Sequence, residues 1–564
     1  MKNYIKITKK SILMLGAVLV MGSCKIDYDP LDRYTDVAVY QNPANIRSYV
    51  IGMYSEFNTF KFGTFPIGYD NATDALTDLM KYSSGVSGNG TVNILASDPS
   101  RVNAAGPQLN YWSSGYARIR RINEFLQGLD TKAQGLDDNA KLQFQAEARF
   151  IRGYVYFWLV KLHGSVVLLD KLVDPELKDN PRSSEEDCYK FIAADFAFAA
   201  QHLPTTWDAI NTGRASKGAA YGMLARTWLY AASIADYDRN QYNTDDLTGI
   251  PQAKAAEYYT NASNAADEVK KLGVYALDDY ATMFTNKNSS EGVFRIAYMR
   301  PQLTHQYDLG FVPPRDAPGQ ALVYGVPTAE LVNEFEMSNG AAFDWTNPAM
   351  AANPYANREP RFYAAILHNG SSWKGRTLNT TTSDEIEGIT EYGATEAKRT
   401  VTGYYAKKML DQSNTNIVIN KSDQSWMEMR YAEILLIDAE AKTKINNIAG
   451  AKVSLNELRT KRGLPNTPSQ TQDEMMKAIE HERILELAFE GHRYWDLRRW
   501  RKAHTKLNNT RFTGHRITPS GSGVTYTAVN VDNANRLFTP ALYYIPIPLD
   551  EILRNKAITQ IKGW

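Results

Sequence analysis

The chain has 564 residues, 43% of them apolar and 11% aromatic, and its 63 basic and 62 acidic side chains leave a net charge of +1. That balance argues against a nucleic-acid protein, which carries a strong basic bias. The length permits a large apolar core, and with only Cys24 and Cys188 the fold must rest on that core rather than on a disulfide framework.

The first residues, MKNYIKITKKSILMLGAVLVMGSC, place Lys2, Lys6, Lys9 and Lys10 ahead of an apolar run from Ile12 to Met21. A membrane-spanning helix takes roughly 20 apolar residues, so this shorter run predicts a cleaved secretory signal over 1–23. Its ending, Val-Met-Gly-Ser-Cys, resembles a bacterial lipobox, which makes Cys24 the lipidated first residue of the mature chain. Residues 24–36 then read as the lipidated cysteine and an acidic tether, with Asp27, Asp29, Asp32, Asp36 and Pro30. Acidic residues in this place also resemble an export signal to the cell surface.

From residue 37 the chain reads as mainly α. Helices are predicted over 43–59, 107–129, 137–163, 185–202, 214–236, 252–272, 426–445, 448–462 and 472–490. In 137–163, Phe144, Ala148, Ile151, Val155, Trp158 and Leu162 share one face at three- and four-residue spacing. The 448 helix should stop at Gly463 with Pro465 beyond it, and the 472 helix should open on a Thr471/Glu474 capping box. The helices fall in neighbouring pairs, and the pair 426–462 is close to the tetratricopeptide period of about 34 residues. Residues 273–425 differ: Gly, Pro, Asn, Thr and Ser dominate, with a strand-like run at Gly292–Tyr298. The segments 60–106 and 508–545 share that texture. Loops of such length are uncommon unless functional or disordered, so function is to be sought there.

Within 482–500, ERILELAFEGHRYWDLRRW, charges alternate with Leu485, Leu487, Phe489, Trp495 and Trp500. The i,i+3 pairs Arg483–Glu486 and Glu490–Arg493 are candidate ion pairs that tie the last helix to its neighbours. Arg498, Arg499, Arg501, Lys502 and His504 read as a solvated helix end. His481-Glu482 begins like H-E-x-x-H, but position 485 is Leu, so the second ligand is missing. No nucleophile elbow, P-loop or G-x-G-x-x-G is present. Carboxylates are abundant, and nothing singles out a glycosidase pair.

The 482–500 block, together with AEARFIRGYVYFWLVKLHG (146–164), GRASKGAAYGMLARTWLYAA (213–232), MRYAEILLIDAEA (429–441), YYIPIPLDEILRNKAITQ (543–560) and the lipobox, resembles the SusD/RagB family of outer-membrane nutrient-binding lipoproteins. The resemblance implies tetratricopeptide-like helix pairs forming an α-α superhelical scaffold, 37–272 and 426–564, with a loop-rich inserted subdomain at 273–425. It implies a non-catalytic, lipid-anchored protein on the outer membrane, facing the cell surface. Such a protein binds oligosaccharide or polysaccharide and acts as a lid over a SusC-like TonB-dependent transporter. A peptide is the ligand in the RagB branch. A surface glycosidase is the remote alternative.

A sugar ring offers an apolar C–H face and a hydroxyl rim, so the expected site interleaves aromatic and polar residues in loops. The segment 65–90 supplies Tyr69, Asp70, Asn71, Tyr82 and Asn89, with Asp74 and Asp78 beside them. The insert supplies Tyr324, Asp344, Trp345, Arg358, Trp373 and Arg376. Trp345, Trp373, Tyr82 and Asp70 rank first on aromatic size and loop setting. No cofactor is expected; the acidic loop 70–78 suits a structural calcium, though its ligand count cannot be read from sequence.

Overall fold

A computed structural model describes residues 39–55, 57, 73–82, 91–133, 135–173, 179–237, 247–391, 398–419 and 421–564. The signal, Cys24, the tether, Tyr69, Asp70, Asn71 and Asn89 lie outside the described residues.

Local signals set most helix ends. Helix α1, Pro43–Tyr54, starts on Asn42, whose side chain accepts from the Ala44 N–H, with Pro43 in the first turn. After α2, Thr91–Ser97, come α3, Trp112–Thr131, and α4, Asp138–His163, the latter capped by Asp137. Helix α5, Glu185–His202, has Ser184 as cap and three acidic residues in its first turn, which suit the positive end of the helix dipole. Helices α6, Lys217–Tyr237, and α7, Ala255–Lys271, follow. Near the C-terminus lie α8, Tyr431–Lys444, α9, Ile448–Lys461, α10, Gln472–Glu486, and α11, Arg493–Arg499. The Thr471/Glu474 capping box forms, and Gly463 takes φ 78° just past α9. Helix α10 is shorter than predicted: the chain turns after Glu486, with Phe489 at φ 65°.

Each helix from α3 to α7 packs on its sequence neighbour, and α8 closes on α7, α9 and α10. This is the tetratricopeptide-like scaffold that was expected. One expectation for α4 needs correction. Its second half is not amphipathic: every residue from Phe150 to Val160 is buried, because the helix is sheathed by neighbours on all sides. Phe150 meets Phe196 of α5 and Phe294 edge-on at 5.4 and 5.1 Å. Arg152, inside this core, is held by Asp195 at 2.8 Å and donates to Asn123 Oδ1.

The insert between α7 and α8 is built of short pieces. Strand β1, Met80–Tyr82, precedes it and pairs antiparallel with β3, Gly325–Pro327. Strand β2, Gly292–Ile296, pairs with β4, Trp426–Arg430. Thus the first five residues of the helix predicted from 426 form a strand; the run Trp-Met-Glu-Met-Arg alternates its faces before the helical period begins. Beyond α11, the segment read as loop holds a hairpin, β5, Thr513–Ser520, and β6, Gly523–Asn530, in continuous register.

Buried ion pairs join the insert to the C-terminal helices. Glu486 receives Arg430 at 2.6 Å, Arg462 at 2.8 Å and Arg361 at 2.9 Å. Glu482 receives Arg361 and Arg459; Glu490 receives Lys408 and Arg430, both at 2.7 Å. The block 482–500 is structural, as read, but Arg483 and Arg493 do not pair with Glu486 and Glu490 as expected. Arg483 pairs with Asp496, and Arg493 with Asp78. The basic cluster is also not a solvated helix end. Arg498, Arg499 and Arg501 are buried; Arg499 binds Glu440 and Asp496, and Arg501 donates to the Tyr544 hydroxyl.

Candidate functional site

The hairpin β5–β6 is clamped at its base. The Thr513 N–H and hydroxyl donate to Glu330, the His515 N–H donates to Thr402 O, and the Thr382 N–H donates to Ile517 O. The fit at Gly514 is close: a Cβ there would lie 2.5 Å from the Thr402 Cα, so only glycine lets the two backbones meet. This clamp brings the hairpin against two stretches of the insert, 343–345 and 355–368, and aromatic rings from all three meet.

Trp345 is central to this surface. Its ring lies 5.3 Å from Phe343, 4.6 Å from His515 and 5.6 Å from Tyr526. Its Nε1 donates to Asn333 Oδ1 at 2.9 Å, which fixes the indole. Tyr355 stacks on His368 at 4.1 Å and meets Tyr526 edge-on at 5.7 Å. The Tyr355 hydroxyl reaches Tyr404, whose hydroxyl bonds His515 Nδ1 at 2.8 Å. Phe343, Trp345, Tyr355, His368 and Tyr526 are half-buried, and Tyr363 is 39% exposed. Burial pushes both His515 and His368 down to about 4, so both imidazoles are neutral at physiological pH. Asp344, at the rim, takes the Thr346 N–H and hydroxyl, which hold its carboxyl below the usual range. The result is a neutral surface of ring faces bordered by phenol, imidazole and carboxylate. It suits a ligand with an apolar face and a hydroxylated edge.

The other predicted residues separate. Trp373 is 0% exposed, and its Nε1 donates to Asp316 at 2.6 Å, so its indole offers no face to a ligand. Arg376 binds Asp316 and Glu387 and braces the same corner. Arg358 is 2% exposed; its guanidinium donates to the carbonyls of Pro354, Val332 and Phe335 and lies over Phe343 and Phe362. It supports the aromatic surface from below. Tyr82 and Tyr324 are half-buried, and the Tyr82↔Gly325 register joins the two predicted regions in one ladder. Asp74 accepts from the Gly491 N–H and Asp78 holds Arg493, while the rest of the acidic loop, 70–72, lies outside the described residues.

The sequence reading missed Tyr355, Tyr363, His515 and Tyr526. The hairpin ones were legible in principle, from Ser520-Gly-Ser-Gly523 followed by alternating Val-Thr-Tyr-Thr-Ala-Val.

Other concave places lie elsewhere among the described residues. In one of about 40 Å³, Lys161 Nζ lies over the Trp158 ring at 3.3 Å and Trp495 at 4.3 Å. That volume has room for a water but not for a sugar ring. Grooves of about 300 and 740 Å³ are of ligand size. The larger has its indole, Trp112, only 2% exposed, and the Tyr116 hydroxyl is tied to Val167. Among the described residues, the rings around Trp345 form the half-exposed aromatic cluster with polar groups at its rim.

Residues 290–564 match the family model described as the SusD family, and residues 33–229 match one described as starch-binding associating with outer membrane. The chain belongs to the SusD/RagB family. A SusD-like protein of Bacteroides ovatus is 26% identical over 290 residues, half of this chain and 48% of its own length. SusD-like protein P25 of Formosa agariphila is 24% identical over 501 residues, 85% of this chain and 87% of that one. Among solved structures, one described as a SusD-like carbohydrate binding protein from Bacteroides fragilis superposes with a TM-score of 0.75 at 23% identity, covering 92% of this chain and all of the other. The SusD-like fold therefore holds for the helical scaffold and the insert alike.

Proposed function

We propose that this protein is a non-catalytic outer-membrane lipoprotein that binds oligosaccharide or polysaccharide at the cell surface and delivers it to a SusC-like TonB-dependent transporter, acting as its lid. The observation that carries the binding role is the half-exposed aromatic surface of Trp345, Tyr355, Tyr363 and Tyr526 in a SusD/RagB chain. Stacking satisfies the C–H face of a pyranose, and the Asp344 carboxylate gives its hydroxyls a charged acceptor. The family model's outer-membrane description and the lipobox-like ending at Cys24 support the location. A lipid tether would confine the body near a barrel partner and raise its effective concentration there, so capture can be modest in strength and still lead to hand-over. No cofactor enters this reading.

The test is calorimetry of the chain from residue 36 onward against soluble plant, host and microbial glycans and a peptide digest. One glycan class should bind, and Trp345→Ala should weaken it by at least about tenfold, the effect of about 1.4 kcal/mol. Binding of peptides alone would replace this reading with a RagB-like one. Release of reducing ends from a polysaccharide would show a glycosidase instead.

A further inference from the structure

Strand β6 ends a two-stranded sheet, and among the described residues no strand pairs with its outer edge. The direction of its main-chain groups follows from β5. His515 donates to Thr402 O and Ile517 accepts from the Thr382 N–H, so both residues point their polar groups away from the hairpin. Their register partners are Ala528 and Tyr526. In an antiparallel pair, opposite residues either exchange both hydrogen bonds or turn both outward. The N–H and C=O of Val524, Tyr526 and Ala528 therefore face outward, and among the described residues none makes a hydrogen bond to another main-chain group.

Exposed edges are commonly blunted by charge, proline or a covering segment. Here residues 517–531, ITPSGSGVTYTAVNV, carry no charge in a chain that is 22% charged, and β6 itself has no proline. The strand has the composition of one meant to be paired: Val, Thr, Tyr, Thr, Ala and Val in succession. It is also self-complementary about Tyr526. Thr flanks the tyrosine on both sides, and a small apolar residue, Val524 or Ala528, lies beyond each Thr.

We propose that β6 is a self-association edge, pairing antiparallel with β6 of a second copy of this chain about a two-fold axis at Tyr526. In that register Val524 of each copy lies opposite Ala528 of the other, and Tyr526 lies opposite Tyr526. All six outward groups of each strand then find partners, giving six new main-chain hydrogen bonds and one four-stranded antiparallel sheet. Thr525 falls opposite Thr527, a favourable cross-strand pair. The contact is isologous and closes on itself, so it stops at a dimer. Residues directly opposite in such a pair share a face of the sheet, so the two Trp345–Tyr526 surfaces lie on the same side. A long ligand can then bridge two sites at once.

Sedimentation equilibrium and light scattering of the purified chain across the micromolar range should show a reversible dimer, with hydrogen exchange slowed at the amides of Val524, Tyr526 and Ala528. Ala528→Pro removes only an outward donor, which an edge strand tolerates, and should weaken the dimer by at least about tenfold. As a second arm that does not involve proline, V524K/A528K sets lysine against lysine, and V524E/A528E sets glutamate against glutamate. Each should be monomeric alone, and an equimolar mixture should form a heterodimer. A chain that stays monomeric throughout would overturn the proposal. So would a dimer indifferent to these changes, or a mixture with no heterodimer. Slowing of those amides only when a peptide digest is added to a monomer would assign the edge to a peptide strand, also against it.

Discussion

Replacing Glu486 by Gln puts the buried lattice under its sharpest load. The carboxylate oxygens are divided: Oε1 takes Arg430 Nη1 at 2.6 Å and Arg462 Nη2 at 2.8 Å, and Oε2 takes Arg361 Nη1 at 2.9 Å. Glutamine has the same shape but one oxygen, so whichever way it turns, its amide donors face a guanidinium. At about 2.8 Å and an effective dielectric of about 20, each charge pair is worth about 6 kcal/mol before desolvation is subtracted. Removing one partner of a buried pair costs about 3–5 kcal/mol net. A melting entropy of about 2.1 cal/mol/K per residue over about 500 folded residues gives about 1 kcal/mol per degree. Glu486→Gln should then lower the melting temperature by about 3–5 °C in scanning calorimetry. Glu124→Gln is the control, because its pair with Arg120 is exposed and worth under about 1 kcal/mol. A Glu486→Gln shift no larger than that of Glu124→Gln would refute the lattice as a stabilising joint.

Two further outcomes follow from buried groups. Burial raises the Asp74 carboxyl from 3.8 to about 7, and its Oδ1 has no hydrogen-bond partner among the described residues. A raised acid stabilises the fold while protonated and loses that contribution as pH rises from about 4 through about 7. Asp74→Asn, which keeps an acceptor for the Gly491 N–H, should raise the melting temperature by about 2–4 °C at pH 8 and change little at pH 4; equal effects at both would show that the charge does not matter. Trp373→Ala should cost about 3–5 kcal/mol by opening a cavity and removing the bond to Asp316. Its ligand affinity, measured well below the transition, should match the parent; a tenfold loss would return Trp373 to the binding surface.

Helix α5 was legible because Ser184 and three acidic residues mark its start, and the ends at Gly463 and Thr471 carry their own local codes. Strand β4 was not, because five alternating residues adjoin a strong helical pattern and its partner β2 lies far back in the chain. Trp345 and Trp373 sit in loops of the same texture, and sequence ranks them alike. Only packing separates them, since one indole is fixed at the surface by Asn333 and the other is enclosed beside Asp316. The arginines after α11 misled in the opposite sense. Charge reads as solvation unless a partner is visible, and Glu440 lies 59 residues from Arg499. The same holds for Glu486 and Arg361, 125 residues apart.

That separation sets an order on assembly. The insert leaves the ribosome with Arg361 and Lys408 already in place, but Glu482, Glu486 and Glu490 arrive only with the C-terminal helices. Until then Lys408 lacks its carboxylate and Arg361 has only Glu359, one of its three, so neither can enter an apolar interior without a large desolvation cost. The insert is therefore expected to stay open through synthesis and export and to seal last. A chain cut short before residue 482 would hold those cations in water, leaving the insert unclosed and marked for proteolysis rather than released as a half-working protein.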